Sequence, residues 1–543
     1  MGNLWSSDSM KKVSVSLFTG VLLFVILNHE EQSHTYLPDQ IYQKPKTRLV
    51  TLTSDGGISY GHYANEGETD AIHTLPDFSF AGYMGGGVAL PNLPVKVTLK
   101  PQEGDCRPLI QNAIDKVSSM PADSNGFRGK VLLKAGTYAV AGTLEIKAGG
   151  VVLAGEGQDE GGTILKAVKE AQHTFIIIGD DRSSYNKEEE TAIRITSEYV
   201  PTGATSFKVQ DASDYQVGDT ILVQRTPNMT WIIMLDMHQY GWTTKKYAVP
   251  HERVITDIDH NNISVNIPVV DPVKLKEGGG QILKAKIDRK TKKSGVENLR
   301  LVSSYEHATD ELHGWDAVKL RMAENCWVKK VTAQYFGRSC VTIEKKSVFN
   351  TIEDCAMLDP KSHTKGQRKY SFSIESGSFN LFQRCFTRGG RHDYVTGARV
   401  AGPNVFLDSY ATQTHSDIGP HHRWATGTLF DNIKGGEMRV RNRKGSGTGH
   451  GWAGAQTMFW NCTSTSEKGI TVESPPGSIN WIVGGKADQL SGNGHREAFG
   501  EEVQPRSLYL AQLESRLGKG AVVATTTAQQ RGKPATVQHA LDK

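Results

Sequence analysis

The chain has 543 residues, with 62 lysines and arginines against 58 aspartates and glutamates, for a formal net charge of +4. That small surplus excludes the global basic field of a general nucleic-acid binder, and no zinc-ribbon, Walker-loop or Rossmann spacing is found. The 56 glycines and the 8% aromatic content fit a turn-rich β protein, long enough for one large solenoid or two to three ordinary domains.

Lys11 and Lys12 precede a largely apolar run from Val13 to Leu27. A basic start and a short apolar core predict a secretory signal peptide over residues 1–27, with Met10 as an alternative start. Residues 28–31 show no small-x-small cleavage pattern, so an uncleaved anchor is the competing reading, although the run is short for a bilayer span. No later segment is apolar enough to cross a membrane. The expectation is an exported protein, periplasmic or secreted, with a polar, irregular N-terminal extension over 28–75.

Leu109, Ile110, Ala113 and Val117 fall on one face of a short helix. Strand-like runs start directly after it, at 130–134, 136–140, 143–146 and 150–157. This order predicts a capping helix over the open end of a stack of strands, with the first coils over 76–190. Residues 191–290 break the rhythm with longer, hairpin-like runs, and predict a β-rich insertion budding from the stack as one wall of a groove.

From 291 to 490 a short pattern recurs: an apolar residue, then a small, sulfur-bearing or apolar residue three places on. Its first positions are Leu299, Val328, Ile352, Phe382, Phe406, Phe430, Phe459 and Ile482, spaced 23 to 30 residues apart. The runs are short, β-branched or aromatic and bounded by Gly, Asn, Pro and Asp, so they read as strands. Strand repeats of this period predict a parallel β-helix, one coil per repeat. Two places before the anchor stand Asn350, Asn380, Asn404, Thr428, Thr457 and Asn480. Asparagine tolerates a left-handed corner, and stacked amides bond from coil to coil. Three places after it stand Val331, Cys355, Cys385, Ser409, Ile433, Cys462 and Gly485, an inward column in which cysteines read as buried small hydrophobes rather than disulfides.

A third column bears on function. His313, Arg338, Arg368, His392, His422 and His450 each stand two residues before an aromatic or a cysteine that opens the next strand. At about 4.8 Å per coil, six such positions make a cationic stripe of roughly 24 Å. Arg391, His415, His421, Arg423 and Arg441 crowd beside it. Like charges so close repel, so the stripe points to an extended anionic ligand. Beyond it, residues 506–518 predict a short helix with a glycine stop inside a terminal segment, 491–518. Residues 519–543 are polar and predicted to be disordered.

Three early segments, Leu109–Asp115, Gly129–Tyr138 and Gly150–Gly157, resemble the entry of the pectate-lyase-like superfamily of right-handed parallel β-helices. The later motifs over 390–394, 419–424 and 447–454 resemble an exported bacterial subgroup of it. The resemblance spans roughly 75–518. It implies an all-β, right-handed parallel β-helix solenoid with an N-terminal capping helix, a β-rich insertion and a short C-terminal helix. Enzymes of that fold are mostly polysaccharide lyases, with glycoside hydrolases, epimerases and phage tailspikes as minorities. No signature of the calcium-dependent pectate lyases matches, so no residue role is carried over, and the site rests on the column.

A lyase acting on a uronate polysaccharide must neutralise the carboxylate, remove the C5 proton and protonate the departing O4. Arginine suits the carboxylate, and a neutral histidine, whose ordinary pKa is about 6.5, suits the proton. The candidates are His392 or His422 as base, Arg368, Arg391 and Arg423 as neutralisers, and Tyr394 as acid. Tyr394 competes with a packing role shared with Trp424 and Trp452. His313, Arg338, His415, His421, His450, Trp424 and Trp452 are the candidate substrate-binding residues. No cofactor is assigned. A divalent cation such as calcium is the one candidate, with His415 and Asp417 as loop ligands, but Glu375, Asp393 and Asp417 are too scattered for calcium. A hydrolase would need a carboxylate pair, and Asp393 with Asp417 is the one nominated. The third reading is a carbohydrate-binding solenoid without catalysis. The expected partner is an acidic polysaccharide and the expected state a monomer.

Overall fold

The computed structural model describes residues 46–54, 56–61 and 74–531. The expected signal peptide and much of the N-terminal extension lie outside the described residues.

Successive coils pair in parallel. One sheet runs from Val95–Leu99 through Gly129–Leu133, Val151–Ala154, Gly295–Ser303 and Trp327–Gln334 to Trp481–Val483 and His495–Glu497. A second runs from Leu144–Ile146 through His173–Ile178, Gly314–Arg321, Ser339–Glu344, Phe372–Ile374 and Tyr394–Thr396 to Gly419–Pro420. A bridge from Ile418 to Met438 continues it into Met438–Val440 and Ile470–Val472. Short strands such as Ser347–Val348 and Gly377–Ser378 close the third side. The molecule is a parallel β-helix.

The inward column holds it together. Val328, Ile352, Phe382, Phe406, Phe430, Phe459 and Ile482 align strand to strand and are fully buried. Four phenylalanine rings stack at 5.0 to 5.3 Å. Each such side chain contributes roughly 1.5–3 kcal/mol of apolar burial. The first anchor is the exception. Val296 pairs with Val328, whereas Leu299 pairs with Val331 and so belongs to the column of Cys355 and Cys385. The Gly295–Ser303 strand is long enough to carry both columns, which hid the three-residue offset.

The amide ladder forms. Asn350 Nδ2 donates to Asn380 Oδ1 at 2.9 Å, and Asn380 Nδ2 to Asn404 Oδ1 at 3.1 Å. At the Asn350 and Asn380 corners the left-handed residue is not the asparagine but its predecessor, Phe349 (φ 56) and Phe379 (φ 61). The asparagine uses its amide to satisfy the neighbouring corner.

The capping helix is Arg107–Ser118, with Pro108 in its first turn and Ile110, Ala113, Ile114 and Val117 buried on the first coils. Gln111 fixes it by accepting from the Glu145 N–H and donating to the Glu145 carbonyl. The insertion is an antiparallel sheet built from Ser184–Lys187, Thr220–Arg225, His251–Asp259, Asn262–Val265 and Gly280–Asp288. It starts at Ser184, a little before the predicted boundary. Its core includes Phe207, Ile221, Ile255, Ile263 and Ile282. The short helix Met229–Met234, capped by Asn228, lays Trp231 against Trp424 of the solenoid at 5.1 Å.

Ser507 caps the helix Leu508–Leu517, which ends at Gly518 (φ 79). This helix covers the outer face of the first sheet over Leu381, Val405, Leu429, Met458 and Trp481. Of the segment 519–543 predicted to be disordered, the described residues instead continue as helices over Lys519–Thr525 and Ala528–Arg531, and 532–543 lie outside the described residues. Its polar side chains are bonded to the solenoid: Gln530 is buried, accepts from Arg384 at 2.6 Å and donates to Asp408 at 2.8 Å. The hairpin of Val50–Leu52 and Ile58–Tyr60 sits beside the same helix, with Gln512 donating to the Tyr60 hydroxyl at 3.0 Å. Lys46 bridges to Gln504, and Glu497 accepts from the Arg48 N–H.

Candidate functional site

The predicted cationic stripe divides in two. In its first half the charges already have partners. His313 is buried, bonded through Nδ1 to Ser303 and through Nε2 to the carbonyls of Asp310 and Lys361. Arg338 pairs with Asp316 at 3.1 Å and Glu375 at 2.6 Å. Arg368 forms a two-pronged pair with Glu311 at 2.6 and 2.7 Å. These three residues are structural: carboxylates from other strands and loops hold Arg338 and Arg368, and a hydroxyl and two backbone carbonyls hold His313. Arg368 is therefore not a free carboxylate neutraliser.

The second half converges. His392, His421, His422 and His450 form a chain of rings: 4.0 Å from His392 to His421, 4.7 Å from His421 to His422, and 4.5 Å from His422 to His450. Tyr370 packs edge-on against His392 at 5.0 Å and against His421 at 5.8 Å. His392 Nδ1 lies 3.2 Å from Asp417 Oδ1, and Arg439 reaches the same carboxylate at 3.7 Å. Arg443 Nη1 donates to the His421 carbonyl at 2.5 Å. Among buried polar atoms, His392 Nε2, His421 Nδ1, His450 Nδ1 and Arg391 Nη1 have no hydrogen-bond partner.

The local backbone explains the spelling of one motif. Gly447, Gly449 and Gly451 have φ of 63°, 76° and 56°. A Cβ at Gly447 would fall 2.2 Å from the His450 ring, and one at Gly449 2.2 Å from the Tyr240 carbonyl of the insertion. Only glycine lets this loop fold under His450 while Trp242 donates to the Gly449 carbonyl at 3.2 Å.

Burial and mutual charge hold the imidazoles of His421, His422 and His450 neutral. His422 is pushed down to about 3, by burial first and then by His450, Arg443, His392 and Arg423. His450 is pushed down to about 4 by burial, Arg443 and Arg423. His421 moves the same way, by burial, His392 and Arg443. Burial alone would raise the Asp417 carboxyl. The His392 hydrogen bond and the nearby charges, His392 and Arg439 foremost, outweigh it and hold that carboxyl well below the ordinary range.

Several predicted site residues lie elsewhere. Tyr394 is fully buried inside the coil, donates to the Cys385 and Tyr410 carbonyls at 2.9 and 2.8 Å, and stacks on Phe372. It is a core residue, not an acid. Nor does it share a column with Trp424 and Trp452, since Val395 pairs with Gly419 and places Ile418 next to Tyr394. The two tryptophans pack in the seam with the insertion, where Trp452 Nε1 donates to the Leu235 carbonyl. Both are buried there, so neither offers a sugar an open platform. Arg423 binds Thr448 of the glycine loop. His415 is exposed beside Lys369 rather than in the ring chain. Asp393 accepts from Ser371 and Thr387, whereas Asp417 turns to His392, so they do not form a facing pair. Tyr370, Arg439 and Arg443 were missed. Arg443 stands two places from Arg441, which the column had noted, but no repeat marks Tyr370.

Two triads have donor atoms within 4.8 Å of one another: His421, His422 and His450, and His392, Asp417 and His421. In the first, Arg423 and Arg443 add positive charge and no carboxylate is included. In the second, the carboxylate already serves His392 and Arg439. The donor set fits an anion better than a dication.

No family model and no curated protein matches the chain. Among solved structures it is similar to the tailspike gp49 from Pseudomonas phage LKA1, with TM-score 0.41, 11% identity, 71% of this chain and 64% of that one covered. It is similar to a tailspike double mutant of E. coli bacteriophage HK620 in complex with pentasaccharide, with TM-score 0.40, 10% identity, and 73% and 57% covered. Pectate lyase Pel9A gives TM-score 0.38, 8% identity, and 83% and 90% covered. The chain thus spans less than two thirds of the length of these tailspikes. Every residue role here rests on this chain's own geometry, and what that geometry establishes is a parallel β-helix protein.

Proposed function

We propose that the histidine cluster is the active site of a polysaccharide lyase that cleaves a uronate-containing chain by β-elimination. The observation that carries this reading is the set of buried, unpartnered nitrogens on His392, His421, His450 and Arg391 in a cationic surround. Such groups are costly to bury unless a ligand completes them.

Arg391 and Arg443 take the uronate carboxylate. Neutralising it makes the C5 proton acidic, and the effect is strongest in a partly dry groove. His422 is half-buried and neutral, so it accepts that proton. The C–H electron pair becomes the C4–C5 double bond, the C4–O4 bond breaks, and the departing oxygen takes its proton from the imidazolium just formed. His392, oriented by Asp417, and Tyr370 wall the site from beneath.

The test is ultraviolet absorbance of conjugated unsaturated uronate during incubation with a panel of acidic polysaccharides. The expected result is a rise that His422→Ala and Arg443→Gln each reduce by about 100-fold or more, and that Tyr394→Phe preserves. New reducing ends without absorbance would mean hydrolysis. Silence in both assays would leave a binding solenoid.

A further inference from the structure

We infer that Tyr305, Tyr335 and Lys361 form a second subsite that holds an anionic sugar unit of the same polysaccharide, so that the groove runs from the histidines toward the N-terminal coils. The inference deepens the lyase reading and rests on it.

Tyr305 is 39% exposed, and its ring meets Tyr335 edge-on at 5.0 Å. The Lys361 ammonium lies 5.2 Å from the Tyr305 ring centre and 5.3 Å from that of Tyr335. An ammonium poised over two half-open aromatic rings offers a sugar an apolar platform and its carboxylate a counter-charge. Charge pairing singles this lysine out. Arg338, Arg368 and Arg388 around it are each tied to a carboxylate, Asp316 with Glu375, Glu311 and Asp359 respectively. Lys361 has no carboxylate within ion-pair distance among the described residues.

The path to the histidines is continuous. The Tyr335 N–H bonds to Leu358, Asp359 N–H to Arg388, and Gly389 N–H to Thr412, so these corners stack one per coil. Three such steps at about 4.8 Å cover roughly 14 Å. Along this edge come Lys369, bonded through Nζ to Thr364 only, and then Arg391, whose backbone N–H bonds to the Lys369 carbonyl. Lys361 and Lys369 are close enough that Lys361 helps burial to lower the Lys369 pKa. The stripe read from the sequence was thus displaced: among the described residues its cations without a carboxylate partner are Lys361, Lys369 and Arg391, whereas carboxylates hold Arg338 and Arg368 and carbonyls hold His313.

The experiment uses the full chain carrying His422→Ala, so that binding is read without turnover. Oligogalacturonates and oligomannuronates of graded length, from the dimer upward, are titrated calorimetrically into this protein and into versions also carrying Tyr305→Ala with Tyr335→Ala, Lys361→Ala, or Lys361→Arg. Circular dichroism checks the fold of each. The expected result is a loss of about tenfold in affinity for long oligomers with either alanine version, unchanged affinity for the dimer, and retention with Lys361→Arg. Equal affinity of parent and alanine versions for the long oligomers, including no measurable affinity of either, overturns the subsite. Because no bond is cleaved in this assay, the two readings separate: long-chain binding through Lys361 here, with no unsaturated product from the chain that keeps His422, would overturn the lyase reading alone.

Discussion

His392 donates through Nδ1 to Asp417, whose carbonyl lies at 2.8 Å and carboxylate at 3.2 Å, and its Nε2 is left buried and unpartnered beside the His421 ring. That pairing fixes the tautomer and the ring plane. Asp417→Asn keeps the shape but removes the charge that orders His392 and Arg439. Steady-state kinetics are expected to show kcat lower by about 10- to 100-fold with a much smaller change in KM. Full kcat in Asp417→Asn would reduce His392 to packing.

The pH dependence has a definite sign. His422 at about 3 is neutral across the ordinary range, so the acid limb of kcat/KM is expected well below the free-histidine value of about 6.5. Arg423→Gln removes one of the charges that depress His422 and should move the limb upward. The same depression sets a stability trend. Below about pH 6.5 the unfolded chain protonates these histidines while the fold does not. Stability from His422 and His450 is therefore complete above that pH and is lost as pH falls toward 4 and 3. Urea midpoints against pH would check it.

Chelation separates the anion reading from a metal one. The His421, His422 and His450 triad carries two arginines beside it. Activity is expected to be unchanged after dialysis against excess chelator and on adding back zinc or calcium. Loss on chelation and recovery with one ion would reassign the triad as a metal centre.

The amide ladder is testable by stability alone. Asn380→Ala takes one of two acceptors from Asn350 Nδ2, the side-chain acceptor from the Asn350 N–H, and one donor from Asn404 Oδ1, all in a buried column. A loss of about 1–3 kcal/mol is expected in denaturant unfolding, with no change in the activity of the folded protein.

The coil period, the inward phenylalanines and the cysteine stack were legible because packing repeats residue by residue down the helix axis. Val328 to Ile482 needed no tertiary knowledge, and Leu299 was misplaced only because one strand carries two columns. Charge was less legible. Arg338 and Arg368 looked free because Asp316, Glu375 and Glu311 reach them from positions that no short motif connects. Trp424 looked like a groove residue because the insertion that buries it, through Trp231 and Trp242, lies about 200 residues earlier in the chain. Polar composition hid the terminal helices for the same reason: Gln530 finds Arg384 and Asp408 only in three dimensions.

A stack whose members touch only their neighbours can melt from either tip inward, one unit at a time. Here the two tips are not independent. The Arg48 N–H reaches Glu497 on the last strand, while Tyr60 meets Gln512 and Arg516 binds Ser79 and Gly85, these two on a helix that lies across the middle coils. The beginning and the end of the described chain thus clasp the same sheet, turning an open ladder into a closed loop. Fraying at one tip costs contacts at the other, so the solenoid should yield as a single cooperative body rather than peel.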